Sequence, residues 1–546
     1  MLDDLLHKSD ALGIHTVHTN TNTFKYVRLF VNMISYLRIG GIVMDMNIEN
    51  IASFCKQKGF IFKSSEIYGG FAGFWDFGPL GVELFTNIKR HWWKHFVHDQ
   101  EYMVGLDTSI ISHPRVWKAS GHLDSFGDLL ITCGSCKKKF RADHLIEDAL
   151  DINVEGMSID AINTIIKDNN LTCPECGKDF AELKDFNLLF KTNVGAEEGR
   201  ASEAFLRGET AQGMFTDFNL VAESSRQKLP FGIAQIGKCF RNEISPRDFI
   251  FRCREFSIGE FEFFLHPDEK DCDLIEDKHK EVRFQFLSAE TQESGENELT
   301  EMAMKDLLET GKLEEWHAYW LAEQIFWLEK IGISPKNTKV REHTSNELSH
   351  YSSGTFDIDY AFPFGSKEIA GNANRGQYDL TQHINESGEK LGIYDEEKKE
   401  RVVPRVIEPT FGMERVFLAA LVDAYEDDKE RGNKVLKLHP MIAPTSCAVF
   451  PLVNKEGVYE KAREVFRELK DYVPCFFDKG GSIGRRYARQ DEVGTPFCVT
   501  VDFDSLKNED VTIRDRDSTD QKRVSIQQLP EVIEGMVRGR ITFADL

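Results

Sequence analysis

No apolar run in the 546 residues approaches the roughly 18 that a membrane-spanning helix needs, and the first residues lack the charged-then-apolar order of a secretory leader. No membrane partner is therefore expected. Positive charge is short as well: 67 Lys and Arg stand against 90 Asp and Glu, a net charge of -23. That balance argues against holding nucleic acid by bulk electrostatics, so any such partner must meet a local basic face. Cysteines number only 11, an odd count, and just four of them (Cys133, Cys136, Cys173, Cys176) fall in paired spacing. This is no disulfide scaffold, and a reducing, cytoplasmic location is expected. No loop of the form G-x-x-x-x-G-K-[ST] occurs, so a nucleotide, if bound, rests on another device.

The composition, 41% hydrophobic and 29% charged, is that of a folded enzyme and excludes a disordered chain. The length implies roughly three or four folded units. Residues 1–45, with weak periodicity, read as an appendage that need not belong to the fold. From Asn47, a helix with Ile48, Ile51, Phe54 and Cys55 on one face opens the globular part. A helix is expected over Gly81 to His98, where Val82, Phe85, Ile88, Trp92 and Phe96 recur at helical spacing. A Cys-bracketed insertion is placed at 133–180 and a charged, Glu-rich helical insertion at 268–332. The main domain runs over 46–435. Beyond the charge-dense connector Asp423 to Lys434, residues 436–546 alternate strand and helix, which implies a small α/β domain of its own.

The most informative stretch is FRNEISPRDFIFRCREFSIGEFEFF, Phe240 to Phe264. Two runs of alternating aromatic and charged residues flank a polar centre with Pro246 and Asp248, which predicts an antiparallel hairpin with a long loop. Arg241, Arg247, Arg252 and Arg254 then lie among Phe rings, next to Glu243 and Glu255. Such an array suits a polyphosphate joined to a purine. A salt-bridged strand pair on a solvated face is the other reading of the same residues. Four thiols in the spacing C-x2-C-x36-C-x2-C (Cys133, Cys136, Cys173, Cys176) point to a structural Zn2+ with no open coordination position.

The hairpin resembles the second motif of the class II aminoacyl-tRNA synthetases: Phe240, Arg241 and Glu243, then, after the loop, Arg252, Phe256 and Glu260. Gly412 to Leu421, GMERVFLAAL, resembles their third motif, and the helix from Gly81 with the strand Thr108 to Pro114 their first. The signatures HIGH and KMSKS of the class I enzymes are absent. Five further stretches are similar to the glycyl enzymes of the dimeric type: SSEIYGGFAGFWDFGPLGVEL, HPRVWKASGH, FLRGETAQGMF, AGNANRGQYDL and EPTFGMER.

That resemblance implies an α+β fold: an antiparallel-sheet catalytic domain carrying a zinc-ribbon-like and a helical insertion, then an α/β anticodon-binding domain. It implies glycine activation by ATP and Mg2+, transfer to tRNA(Gly), and a homodimer built on the first motif. Arg241, Arg252 and Arg415 become the expected catalytic residues. The expected ATP site comprises these three with Asn242, Glu243, Phe251, Cys253, Arg254, Glu255, Phe256, Glu368, Ile369, Gly412, Met413 and Glu414. The expected glycine site comprises Arg141, Glu209, Phe256, Ser257, Ile258, Gly259, Glu260, Arg375, Glu408, Pro409, Thr410, Phe411 and Gly412. The likeness departs at Gly208, where the family has proline, and at Thr410, where it has serine. Arg485, Arg486, Tyr487 and Arg489 supply the basic and aromatic patch that reading an RNA loop requires. Two alternatives stay open: a non-catalytic relative that keeps the fold as a nucleic-acid-binding dimer, and a class II enzyme for another small amino acid.

Overall fold

The computed structural model describes residues 47–546 except 151, 153, 155–156, 196–201, 346, 348–353, 397–398 and 456. The appendage expected at 1–45 lies outside the described residues. Helix α1 (Ile48–Lys58) buries Ile51, Phe54 and Cys55, the face its spacing requires. Helix α2 (Pro79–Trp93) opens with proline in its first turn, where a missing N–H costs nothing, and buries Leu84, Phe85, Ile88 and Trp92. It is shorter than the expected Gly81 to His98, because Lys94–His98 winds into a π-helical turn.

A nine-stranded sheet forms the centre. Its strands are β1 (Met103–Gly105), β2 (Phe231–Phe240), β3 (Glu255–Leu265), β4 (Arg283–Leu287), β5 (Thr300–Ala303), β6 (Thr338–Glu342), β7 (Gly354–Phe362), β8 (Gly365–Gly376) and β9 (Arg405–Gly412), in the spatial order β5-β4-β6-β7-β8-β9-β3-β2-β1. Only the β1–β2 and β4–β6 pairs are parallel. The stretch 268–332, expected as a helical insertion, instead gives the sheet its edge strands β4 and β5. It also supplies helix α3 (Glu315–Lys330), whose Trp316, Trp320 and Trp327 are all buried. The Glu-rich part that suggested an exposed insertion is a short helix and turn between those two strands.

Strand alternation divides the chemistry between the two faces of the sheet. On one, Phe261 and Phe263 of β3 and Phe411 of β9 meet Trp92 of α2 and Trp320 and Trp327 of α3, ring to ring at 4.7–6.2 Å. On the other, an apolar cluster that includes Phe215, Ile233, Phe264, Leu380 and Val406 adjoins the acidic residues described below. Helices α4 (Tyr378–Ser387) and α5 (Met413–Ala424) complete the domain.

The Cys-bracketed segment folds around a small core of its own, with Ile131, Ala142, Ile146, Ile162 and Ile166, under a three-stranded sheet of Gly127–Cys133, Lys139–Arg141 and Phe180–Asn187. The C-terminal part is a five-stranded sheet. Strands Cys475–Phe477, Cys447–Pro451 and Phe497–Val501 are parallel, and Asp510–Asp515 and Gln521–Ser525 add an antiparallel hairpin. The last strand, with its Lys, Arg and Gln, has no alternation strong enough to announce it in the sequence.

Candidate active site

Strands β2 and β3 pair from Phe231–Phe264 through Phe240–Glu255, and residues 241–254 form the long loop that the hairpin pattern requires. The loop reverses at Asp248 and Phe249, both left-handed (φ 58 and 59). Arg254 braces it: its guanidinium donates to the Glu243 carbonyl at 3.0 and 2.8 Å and to the Ala72 carbonyl at 3.0 Å. Arg241 lies between the rings of Phe126 and Phe256, 5.1 and 5.4 Å from their centroids, and donates to the Gly208 carbonyl at 3.1 Å. Arg252 donates to Glu243 at 2.7 Å. Arg415, near the start of α5, donates to the Glu368 carboxylate at 2.9 Å and lies 4.5 Å from the Phe251 ring.

A cavity of about 510 Å3 opens here, lined by Arg241, Glu243, Phe251, Arg252 and Glu368 and, from the Cys-bracketed segment and the strand leading into it, by Asp128, Arg141 and His144. Those last residues set its electrostatics. Burial pushes the Asp128 carboxyl up to about 6 even though Arg141 and Arg252 oppose the shift. Burial, and then the Arg141 charge, push the His144 imidazole down to about 3. The cavity wall thus sets arginines among carboxylates, and its imidazole stays neutral.

Beside the hairpin is an acidic pit on the sheet face away from the tryptophans. Glu260 accepts from the Thr410 hydroxyl at 3.0 Å and from the Thr210 hydroxyl. Arg375 donates twice to Asp379, at 2.8 Å each, and to Glu408 at 2.7 Å. The β8–β9 register slips between Asn374 and Gly376, and the bulge turns the Arg375 guanidinium inward. Glu209 faces His122 at 3.2 Å and accepts from Gln212 at 3.0 Å. Burial pushes the Glu209 carboxyl up, but His122 and Arg375 outweigh it, and the net shift is well below the usual carboxylate range. Glu408 is displaced the other way: burial, then the facing Glu260 and Glu209, push it up despite Arg375.

Several expected site residues stand elsewhere. Arg141 is paired with Asp128 at 2.9 Å and with Asp143, which holds it in the cavity wall and away from the pit. Pro409 and Phe411 alternate with Glu408 and Thr410 and so face the helix-packed side. Ser257 and Gly259 alternate in the same way with Ile258 and Glu260. A Cβ on Gly259 would meet the Met413 sulfur at 2.9 Å and Trp92 at 3.2 Å, so this glycine serves helix packing. Ile369 and Met413 are fully buried. Glu414 accepts from the Ser257 amide at 2.7 Å, and the Cys253 thiol turns to the Ile250 carbonyl. None of these four presents a side chain to the cavity.

In the C-terminal domain Arg486 is 3% exposed and donates to the Pro451 carbonyl at 2.6 Å. The Tyr487 hydroxyl is bonded to Thr500 at 2.6 Å. Both are structural, because the helix Ile483–Asp491 turns that face onto the sheet. Arg485 and Arg489 are at the surface, Arg489 paired with Asp478 and donating to the Gly480 carbonyl at 2.6 Å. Residues missed in the sequence include His122, Asp128, His144, Thr210, Glu262 and Asp379. Of these only Glu262 carried a signal, as the second acid of an alternating Phe-Glu pattern.

The four thiols converge. Cys133 and Cys176 sulfurs are 3.5 Å apart, Cys136 and Cys173 sulfurs 3.7 Å, and all four lie within 4.8 Å of one another. A tetrahedral ion at the usual Zn–S length of about 2.3 Å separates its sulfurs by about 3.8 Å, so these residues fit Zn2+. Each knuckle closes the same way: Lys137 and Gly177, the residue after its second cysteine, are both left-handed (φ 61 and 65).

Two family models match the chain: the tRNA synthetase class II core domain (G, H, P, S and T) over residues 196–425, and the anticodon binding domain over 446–536. Among solved structures, prolyl-tRNA synthetase from Cryptosporidium parvum, complexed with halofuginone and AMPPNP, shares the fold. Its TM-score is 0.54 at 13% identity, over 92% of this chain and 79% of that one. An arginine-bearing hairpin on an antiparallel sheet, followed by an anticodon-binding domain, thus defines the class: a class II aminoacyl-tRNA synthetase. Within that class the chain is 46% identical over 499 residues to the glycine–tRNA ligase of Caldanaerobacter subterraneus, covering 90% of this chain and 98% of that one. It is 44% identical to those of Clostridium acetobutylicum and Geobacillus thermodenitrificans, over 90% of this chain and 99% and 98% of theirs. The chain belongs to the glycine–tRNA ligase family.

Proposed function

We infer that this chain activates glycine with Mg2+–ATP to glycyl-adenylate and transfers the glycyl group to the 3' end of tRNA(Gly). The observation that carries the reading is the adjacency of the acidic pit to the arginine-lined cavity. Glycine offers an ammonium, a carboxylate and no side chain. The carboxylates of Glu209, Glu260 and Glu408 suit the ammonium, and the Thr410 hydroxyl is tied to Glu260. A rigid, filled wall penalises an added methyl group, which excludes alanine without an editing step.

In activation a glycine carboxylate oxygen attacks the α-phosphorus in line, the bond to the bridging oxygen breaks, and pyrophosphate leaves with that electron pair. The nucleophile is already ionised, so no base is needed, and the protein supplies positioning and charge. Arg241 grips the α-phosphate and the glycine carboxylate. Arg252 and Arg415, now paired with Glu243 and Glu368, exchange those carboxylates for the γ-phosphate. The adenine lies against Phe256, with Glu243 on its amino group. In the second step a terminal ribose hydroxyl attacks the activated carbonyl and AMP departs. Charging of tRNA that requires both glycine and ATP tests the whole reading; exchange supported by serine or proline but not by glycine overturns it.

Zn2+ on Cys133, Cys136, Cys173 and Cys176 closes the segment whose Arg141 and His144 wall the cavity. Cys173→Ser is therefore expected to lose the metal, as read by metal analysis, and to raise the KM for ATP more than that for glycine. A homodimer is supported by the exposed Val82, Ile110 and Ile111 (46%, 39% and 51%) on the first-motif elements. Light scattering is expected to give the mass of two chains, and Ile110→Glu with Ile111→Glu that of one. No disulfide joins any of the 11 cysteines, which supports a cytoplasmic setting. The surface arginine Arg485 is left to meet the anticodon, and Arg489 joins it by exchanging Asp478 for phosphate.

A further inference from the structure

Glu262 is fully enclosed, and neither of its carboxyl oxygens has a hydrogen-bond partner. The β3–β9 register pairs Glu260 with Thr410 and Phe263 with Ile407, which sets Glu262 opposite Glu408. Carboxylate oxygens of Glu260, Glu262 and Glu408 lie within 4.8 Å of one another. The next residue along this face is Phe264, and the β2 neighbour is Ile233; both belong to the apolar cluster. Glu262 therefore stands at the floor of the pit, between the acids that receive the ammonium and an apolar core.

We propose that Glu262 is a positioning residue for glycine: a neutral carboxylic acid whose proton is offered to the facing Glu260 and Glu408, which offsets the upward push those acids exert on one another and leaves them to receive the ammonium. The inference rests on the reading of the pit as the glycine site. Four other carboxylates, Glu209, Glu260, Asp379 and Glu408, already share Arg375 and the incoming ammonium as their cationic partners. A fifth negative charge has nothing to meet it, and a lone buried carboxylate takes up a proton in preference to staying ionised.

The location of the proton follows from the partners. Glu408 has the Arg375 guanidinium at 2.7 Å, and Glu260 has two threonine hydroxyls. Glu262 has no hydrogen-bond donor and feels the Arg375 charge only from a distance. Burial, with Glu408 next, pushes its carboxyl well above the usual range. Protonated, it becomes a donor in a place otherwise made of acceptors.

The test uses the full chain and pyrophosphate exchange, with KM for glycine and for ATP measured from neutral to alkaline pH. Glu262→Gln keeps a donor that cannot ionise, and Glu262→Met fills the space without one. Glu262→Gln is expected to stay within about threefold of the parent in KM for glycine and to lose its alkaline rise, whereas Glu262→Met raises that KM about tenfold or more and leaves the KM for ATP alone. An equal loss in both variants overturns the proposal, since the pit would then need the charge itself. A Glu262→Met variant at the parent's KM overturns it too. Should Glu262→Met fail to fold, the infrared carbonyl stretch of a protonated acid, present in the parent and lost in Glu262→Gln, decides the matter, and its absence from the parent refutes the proposal. A parent chain with no glycine-dependent exchange defeats the functional reading alone, because the infrared band still reports the proton.

Discussion

Arg241→Ala is expected to abolish glycine-dependent pyrophosphate exchange, by about 10^3-fold or more, while the circular dichroism spectrum and the unfolding transition stay those of the parent. The size follows from the role: a preorganised charge on the α-phosphate acts where negative charge gathers in the transition state, and one lost donor of that kind costs about 10^2 to 10^3. Here the glycine carboxylate is released as well. The intact fold follows from the geometry. Arg241 makes its hydrogen bond to one carbonyl, that of Gly208 at 3.1 Å, and is otherwise stacked between Phe126 and Phe256. Its removal leaves no carboxylate unpaired, since Glu243 is held by Arg252. Arg254→Ala makes the contrast: it frees the Glu243 and Ala72 carbonyls and is expected to loosen the loop as well as slow the reaction. Full activity in Arg241→Ala would remove the hairpin from the mechanism.

The hairpin was legible in the sequence because its signal is local. Phe240, Arg241, Glu243, Arg252 and Phe256 sit on two adjacent strands and one loop, and period-two alternation of rings and charges marks both. The pit was legible only in part. Glu209, Glu260, Arg375 and Glu408 come from four separate segments, and what makes Arg375 point inward is a bulge, which no periodicity reveals. Alternation is hidden where a strand is buried on both faces, as β3 is, because consecutive residues then read alike although they face opposite ways. Glu260 and Glu408 face the pit, whereas Ser257, Gly259, Pro409 and Phe411, their neighbours in sequence, face the helices. The C-terminal basic patch misled in the other direction. Arg486 reads like its neighbour Arg485, yet it donates to carbonyls at the ends of buried strands, and only tertiary packing separates an arginine that binds the backbone from one free to bind RNA. The charged stretch at 268–332 failed for a related reason. Its glutamates dominate the composition, but Trp316, Trp320 and Trp327 decide where it goes.

The largest expected effect on stability belongs to Arg375. Its guanidinium is bonded to Asp379 through two nitrogens and to Glu408 through the third, and the three residues are 2%, 2% and 8% exposed. Taking away one member of a buried ion pair leaves an uncompensated charge and costs about 3–5 kcal/mol. Arg375→Met is therefore expected to lower the catalytic domain's unfolding midpoint strongly and to abolish exchange. The two losses have different causes, and a second variant separates them. Arg375→Met with Asp379→Asn removes one stranded carboxylate, and Glu408, in contact with Glu260 and Glu262, takes up a proton, so most of the stability should return. Activity should not, because a protonated Glu408 no longer accepts the glycine ammonium. If the double variant regained exchange together with stability, Arg375 would be a structural brace and the charge on Glu408 would be irrelevant to glycine. If it regained neither, the bulge itself would be what Arg375 maintains.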